Sequence, residues 1–413
     1  MKWLCISYYA RIPGSCQAEW NDDRVTALRH LGESVWEVNS ICCNVDPSGN
    51  STRVPSLSYA DVASELAIIK DNKFHLTLVN KLICKVFQYI GMIPDMFQRY
   101  LTNGVGEGRW TWSITSFIFG FFVTLKHRPD IIYTTGGPAS AHLSGLLLSK
   151  LFGFPIMCEF EDPLSGDGIG RNEKSNRYLT FVEKIILKHA TISIYCTRNA
   201  AENAKKKYPA ANVTYIYPGS PPQNYPKLTS LSGSKRVRFV HLGSLYQTRN
   251  FDTLLEAIKV ISEKQCDIAQ RLVLENVGHL NADIRERLIS HSELVKLTPL
   301  MSRPQALQYA AGCDYLLLIQ NNDERSQSTI PFKIYDYLHL GIPIFGLIGD
   351  NTEIREILEN HGHIVCNVSS PLSIAEKLVE ILIKGDVELK KSVLTSEAAA
   401  MQMVRYAKIL KLN

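Results

Sequence analysis

Short apolar runs rich in β-branched residues alternate along this chain with longer amphipathic stretches, and that rhythm admits few folds. Parallel neighbours cannot be joined by a tight hairpin and need a crossover of a dozen or more residues, so the alternation predicts βαβ units and parallel sheets. In the first half the strand-like runs are residues 3–8, 35–39, 130–134, 155–159, 191–196 and 213–217, with crossover helices expected at 19–31 and 139–152. The rhythm breaks at residues 217–235 (YPGSPPQNYPKLTSLSGSK), where Pro, Gly and Ser are dense and no apolar period survives. It restarts with runs at 238–242, 271–276, 294–297, 314–319, 343–347 and 363–366, separated by helical patterns that include 252–264, 303–311, 334–340 and 351–360. A chain of 413 residues exceeds what one hydrophobic core usually supports. The expectation is an α/β chain of two doubly wound domains, residues 1–217 and 236–395, joined by a linker at 218–235 and followed by a last helix within 396–413.

Composition excludes several other classes. The ten cysteines are scattered, and the adjacent Cys42 and Cys43 have no CxxC partner or histidine at zinc spacing. Neither a disulfide framework nor a metal site is indicated, and a reducing compartment fits. The opening MKWLCISYYARIPG is too short in its apolar part for a signal peptide and reads as a first strand. The longest apolar run, residues 113–125, falls short of the roughly 20 residues that a spanning helix needs. The net charge of +5 is modest but uneven: residues 70–128 hold Lys70, Lys73, Lys81, Lys85, Arg99, Arg109, Lys126 and Arg128 against Asp71, Asp95 and Glu107. Within that segment residues 78–97 mix apolar positions with lysines in a way that suits a helix lying on an anionic membrane surface. A core helix with solvated lysines would carry the same residues. No nucleic-acid partner is expected, because the basic stretch lacks the interleaved stacking aromatics of a recognisable module.

Ligands of open parallel sheets sit outside the carboxyl ends of the strands, so the loops there are where chemistry is sought. Residues 241–252 (HLGSLYQTRNFD) run from a strand end through Gly243 and Ser244 to a helix opening near Asp252, with Arg249 on the way. Close backbone approach, free amides and a cation are what a nucleotide diphosphate requires. Residues 326–343 (SQSTIPFKIYDYLHLGIP) follow another strand end. Lys333 at the start of a short helix can neutralise phosphate, and Asp336 one turn on can accept from ribose hydroxyls. Capping and a solvated charge pair would account for the same residues. A second glycine loop, Gly136 and Gly137, ends the run at 130–134 and offers amides to a sugar, with His142 a weaker candidate beyond it. Glu159, Glu161 and Asp162 end the next run and can orient sugar hydroxyls or take a proton. Pro299 and Leu300, after residues 294–297, could touch a base through their backbone.

In their order and spacing these motifs resemble the donor and acceptor halves of retaining glycosyltransferases of the GT-B fold, of the family-four type found in bacterial surface-polysaccharide assembly. The likeness runs through RPDIIYTTGGPASAHLSGLLLSKLFGFPIMCEFEDP, then GSLYQTRN, then IPFKIYDYLHLGIPIFGL. It implies two Rossmann-like domains facing a central cleft, with the last helix returning to the first domain. It assigns the donor diphosphate to Arg249 and Lys333, the ribose to Asp336, the recurrent acceptor-side acid to Asp162, and the small-residue loop near the donor phosphates to Gly14 and Ser15. The sequence departs from the pattern where Ser328, beside Thr329, replaces a first acid and Ser244 replaces an arginine.

The resemblance further implies a nucleotide-sugar donor as co-substrate, no metal, no other cofactor and retention of configuration. The implied acceptor is a glycan or lipid-linked sugar, and the implied location is cytoplasmic, on the inner face of the cytoplasmic membrane. Two other readings stay open on the same fold: a nucleotide-sugar 2-epimerase, and a non-catalytic sugar-nucleotide-binding subunit of an assembly complex.

Overall fold

The computed structural model describes residues 1–102, 109–166, 173–222, 225, 236–246, 248–384 and 387–412. Most of the expected linker, 218–235, therefore lies outside the described residues. The chain divides into two compact units, Met1–Gly219 with Ser396–Asn413, and Ser220–Thr395.

The first unit is built on a parallel sheet of seven described strands: β1 (Lys2–Ser7), β2 (Ser34–Ser40), β3 (Ser51–Val54), β4 (Ile131–Thr135), β5 (Ile156–Phe160), β6 (Ile192–Tyr195) and β7 (Val213–Tyr215). Their order is β3-β2-β1-β4-β5-β6-β7, so the strand order reverses between β1 and β4. In β1 and β4 the alternation of side chains splits the apolar residues between two cores. Leu4, Ile6 and Ile132 pack on one face, while Trp3, Cys5, Ile131 and Tyr133 pack on the other. The second face is covered by the helix Cys16–His30, capped by Ser15, and by the last helix Ser396–Leu412, whose Ala399, Ala400, Met403 and Ala407 enter the core. Lys411 Nζ meets Asp130 Oδ1 at 2.7 Å, and the Thr214 and Tyr406 hydroxyls are 3.1 Å apart.

Residues 78–97, which read as one helix, form parts of two. Leu78–Ile90 and Met92–Thr102 break at Gly91, where a side chain would meet Leu57 O and Phe87 O at 2.4 Å. On the inner side of this pair the first helix packs Cys84 and Phe87 into the core, and the second is polar: Asp95 accepts from Ser58 Oγ at 3.2 Å, and Gln98 donates to Asp61 Oδ2 at 3.1 Å. Its outer side is apolar and exposed, Tyr89 retaining 84% of its surface and Ile93 78%. The run at 113–125 belongs to the helix Trp112–His127, and no described helix is long and apolar enough to cross a membrane.

The second unit repeats the plan with β8 (Val237–Leu242), β9 (Leu272–Val277), β10 (Val295–Thr298), β11 (Tyr315–Ile319), β12 (Ile344–Ile348) and β13 (Ile364–Asn367) in the parallel order β10-β9-β8-β11-β12-β13. The reversal falls between β8 and β11, the position at which such sheets open a crevice for ligands. β11 and β12 are buried throughout, which is why they read as continuous apolar runs.

Candidate functional site

At the carboxyl end of β8 the chain turns through Gly243, whose φ of +107° few other residues adopt without strain. The next residues return to the neighbouring loop, Leu245 N donating to His279 O at 3.0 Å. The loop then folds on itself: Tyr246 and Arg249 exchange both backbone hydrogen bonds at 3.0 Å, and the Arg249 guanidinium lies 5.0 Å from the centre of the Tyr246 ring. Arg249 Nε is buried and has no hydrogen-bond partner among the described residues. The helix Asp252–Lys264 begins just beyond.

The loop after β11 packs beside it. Thr248 Oγ1 accepts from Asn322 N at 3.2 Å, and Asn351 Nδ2 and Gln320 Nε2 both tie down the carbonyls of Ser326 and Thr329. A polar recess of about 220 Å³, lined by Gln320, Asn322, Asp323, Ser326 and Asp350, opens at this end of the sheet. Lys333 starts the helix Lys333–Leu340, which Gly341 ends in the left-handed conformation. The Lys333 ammonium reaches back to β8, donating to His241 Nε2 at 2.8 Å and to Leu242 O at 2.5 Å.

His241 is fully buried, and its Nδ1 lies 2.7 Å from Asn276 Oδ1. Burial pushes its pKa well below the usual range, with the Lys333 and Arg249 cations pushing the same way and the Asn276 hydrogen bond opposing them. Two cations from separate loops thus act on one neutral imidazole at the switch point.

Of the other residues singled out in this unit, Ser244 is half-buried in the loop, and Ser328 follows a short 3-10 turn at Arg325–Gln327. Thr329 donates to Arg325 O at 3.3 Å. Pro299 and Leu300 are exposed beyond β10. Asp336 differs from its expected arrangement. Its carboxylate is buried in a two-point pair with Arg303, at 2.6 and 3.0 Å, so both oxygens are engaged by a guanidinium. The cause is the capping box of Ser302 and Gln305, which starts the helix Arg303–Ala310 and holds Arg303 at its head.

The first unit has its own strand-end cluster. Ser15 caps the helix Cys16–His30 by accepting from Ala18 N at 3.4 Å, and Gly14 precedes it at φ +74°. Gly136, at φ +95°, lies against Glu161, where an added side-chain carbon would stand 3.2 Å from Oε1, and Gly137 lies against Gln17. Asp162 is exposed, whereas its neighbour Glu161 is tucked in. Burial raises the Glu161 pKa to about 8, helped by the charges of Asp162 and Glu159 and opposed by a hydrogen bond from Gln17. Glu159 faces the core, paired with Arg24 at 2.6 Å and receiving the Tyr133 hydroxyl. His142, a candidate for touching the acceptor, is fully enclosed. Its Nδ1 meets Thr134 Oγ1 at 2.7 Å, its ring packs on Phe160, and burial takes its pKa down to about 3.

His241 and Asn276 had no role in the sequence pattern, and Glu161 appeared there only as one of three carboxylates. The available signal was positional: His241 and Asn276 are polar residues near the carboxyl ends of otherwise apolar strands, and they are direct partners in the β8–β9 ladder.

Structural comparison finds the same architecture in the catalytic domain of starch synthase IV from Arabidopsis thaliana bound to ADP and acarbose, at 9% identity over 100% of both chains and a TM-score of 0.61. The sucrose-phosphate synthase of Thermosynechococcus elongatus matches at 12% identity over 99% of both chains, with a TM-score of 0.60. The UDP-GlcNAc 2-epimerase of Methanocaldococcus jannaschii matches at 14% identity over 99% of this chain and 100% of that one, with a TM-score of 0.53. No protein-family profile and no curated protein matches the chain by sequence. The likeness is one of fold: two parallel α/β units, as in proteins of the GT-B fold, over the whole chain.

Proposed function

We propose that this chain is a metal-independent glycosyltransferase that moves a sugar, with retention of configuration, from a nucleotide-sugar donor to a glycan or lipid-linked acceptor of a bacterial surface polysaccharide. The observation that carries this reading is Lys333 held on His241 and the Leu242 carbonyl at the switch point of the second sheet, the strand end from which the loop carrying Arg249 leaves. A departing nucleoside diphosphate gathers negative charge as the glycosidic bond breaks. Fixed cations in a site of low dielectric stabilise that charge more than they stabilise the ground state. The ADP bound to starch synthase IV supports a nucleotide diphosphate as ligand of this fold. Gly243, Ser244, Ser328 and Thr329 supply the surrounding donor contacts in this reading, with Pro299 and Leu300 near the base. Asp336 acts by fixing Arg303.

In the first unit Gly14 and Ser15 approach the donor phosphates, Gly136 and Gly137 offer amides to the acceptor, and Asp162 orients its hydroxyl. The proton of that hydroxyl passes to the departing phosphate. A lipid-linked acceptor is supported by the exposed outer side of the helices Leu78–Ile90 and Met92–Thr102, where Leu82, Val86, Tyr89 and Ile93 stand beside exposed Lys81 and Lys85. Apolar residues flanked by lysines suit the inner face of an anionic cytoplasmic membrane.

The test is mass spectrometry of products from a panel of nucleotide sugars with lipid-linked acceptors, run with and without EDTA. Transfer that survives EDTA is the expected result, and transfer that needs added Mg²⁺ removes the metal-independent part. The epimerase in the structural comparison favours one rival, a nucleotide-sugar 2-epimerase, whose signature is interconversion of donor sugars without transfer. Donor binding with no turnover of any kind would leave only a binding subunit.

A further inference from the structure

We infer that His241 is a positioning residue for the phosphate-binding cation: a neutral imidazole, locked in its Nδ1–H tautomer by Asn276, that holds Lys333 at the end of β8 without cancelling its charge. The inference rests on the donor site proposed above.

The tautomer follows from the partners. An ammonium group has hydrogens and no lone pair, so a nitrogen 2.8 Å from Lys333 Nζ has to be an acceptor. His241 Nε2 therefore carries the lone pair, and Nδ1 carries the hydrogen. Nδ1 then donates to Asn276 Oδ1 at 2.7 Å. This arrangement leaves Asn276 Nδ2 buried and without a hydrogen-bond partner among the described residues. Buried polar atoms are nearly always paired, so the orphan calls for a cause. Turning the Asn276 amide over would present Nδ2 to His241 Nδ1. The imidazole would then have to carry its hydrogen on Nε2, facing the ammonium, and two donors would meet. The unpaired amide is what the lock requires.

The device belongs to the sheet rather than to the loops. His241 and Asn276 are both fully buried and stand opposite each other on β8 and β9. Phe251 closes on the imidazole edge to face, with ring centres 6.3 Å apart. Gly243 keeps the way to Lys333 clear, since a side-chain carbon there would lie 3.2 Å from Nζ. A carboxylate at position 241 would hold the lysine as firmly but would neutralise it. A neutral acceptor fixes the ammonium in place and leaves its full charge for an incoming phosphate.

Nitrogen NMR of the full chain labelled with ¹⁵N-histidine reads the tautomer without any ligand, with His241→Ala identifying the signals. The expected result is a proton-bearing Nδ1 and a bare Nε2 from pH 6 to 8, with the Nε2 resonance displaced in Lys333→Ala. In calorimetry with inorganic pyrophosphate, His241→Ala should bind about tenfold more weakly, the effect of losing one orienting hydrogen bond. His241→Gln, which keeps an acceptor oxygen, should recover part of that loss. Should His241→Ala fail to fold, Asn276→Leu replaces it, with an expected mixture of tautomers and the same direction of change in affinity. A hydrogen on Nε2 in the wild type, or pyrophosphate affinity in the variant within twofold of wild type, overturns the inference. A wild type that binds no pyrophosphate overturns the donor site, and the positioning role with it, while the NMR signature still reports whether the lock exists.

Discussion

Each unit buries a histidine close to the switch point of its sheet, and the two have opposite meanings. His142 and His241 are equally enclosed, and burial is the main force lowering both pKa values. His142 spends its Nδ1 on the Thr134 hydroxyl and its ring on Phe160, which makes it part of the packing. His241 meets an amide on one side and a cation on the other, and that cation begins a helix at a loop end. Burial and pKa alone do not separate a core histidine from a site histidine. The chemistry of the second partner does.

The largest effect expected of this contrast is on the cation itself. Lys333→Ala should lower kcat for transfer by about 10²–10³-fold, the range for removing one preorganised charge-stabilising donor. Steady-state kinetics checks the rate, and a thermal melt checks that the fold survives. A variant that turns over like the wild type would remove the second unit's half of the contrast. Next comes Asp336, where the buried pair with Arg303 and a contact to ribose make different forecasts. Asp336→Asn should cost about 1.5–3 kcal/mol of stability, the usual contribution of a charge-assisted hydrogen bond. Urea denaturation reads that loss. A raised KM for donor at unchanged stability would return Asp336 to the ribose. His142→Leu, on the packing side of the contrast, should cost about 1–2 kcal/mol through the Thr134 hydroxyl, left with only the Met157 carbonyl at 3.5 Å. Measured by the same denaturation, an unchanged midpoint would show that the Thr134 contact contributes nothing.

How much of this was legible in the sequence depends on how local each feature is. β11 and β12 were readable because strands covered on both faces are written in unbroken apolar residues. β3 (STRV) was not, being three half-exposed residues and one buried valine at the sheet edge with no apolar run. The break at Gly91 had local signals in Gly91 itself and in Pro94, which has no N–H to continue a helix, and only the close approach of the Leu57 carbonyl, distant in the chain, was beyond the sequence. In the candidate site, Arg249 and Lys333 stood out because each follows a strand end. That Lys333 reaches His241 depends on β8 and β11 being neighbours, and that His241 meets Asn276 depends on the β8–β9 register, neither of which alternation alone fixes. Asp336 drew attention as an acid one helical turn beyond a lysine, and nothing local pointed to Arg303. The carboxylates 159, 161 and 162 were visible as a group, and Glu159 turns inward within β5, but which of Glu161 and Asp162 turns inward is decided past the strand end, where alternation stops.

That last ambiguity yields the smallest effect and the finest test of the contrast. If the second unit holds a neutral base beside cations, the first holds a neutral acid beside carboxylates. Glu161 is kept protonated up to about pH 8, first by burial and then by the charges of Asp162 and Glu159. Its folded pKa lies above the value of an unfolded glutamate, so the stability it contributes is fully present below about pH 4.3 and is lost as pH rises through 8. Asp22 and Glu65, raised to about 7 by burial, add losses of the same sign in the wild type and in any variant at 161. Glu161→Gln cannot titrate, so the difference between the two proteins isolates this one group. Their melting temperatures should be close at pH 5 and should separate in favour of the glutamine protein as pH approaches 8, with no further separation above about 9. Asp162→Asn should narrow that gap, because it removes the larger of the two charges that oppose ionisation of Glu161. Parallel melting curves across the range would mean that Glu161 is solvated and ionised throughout it.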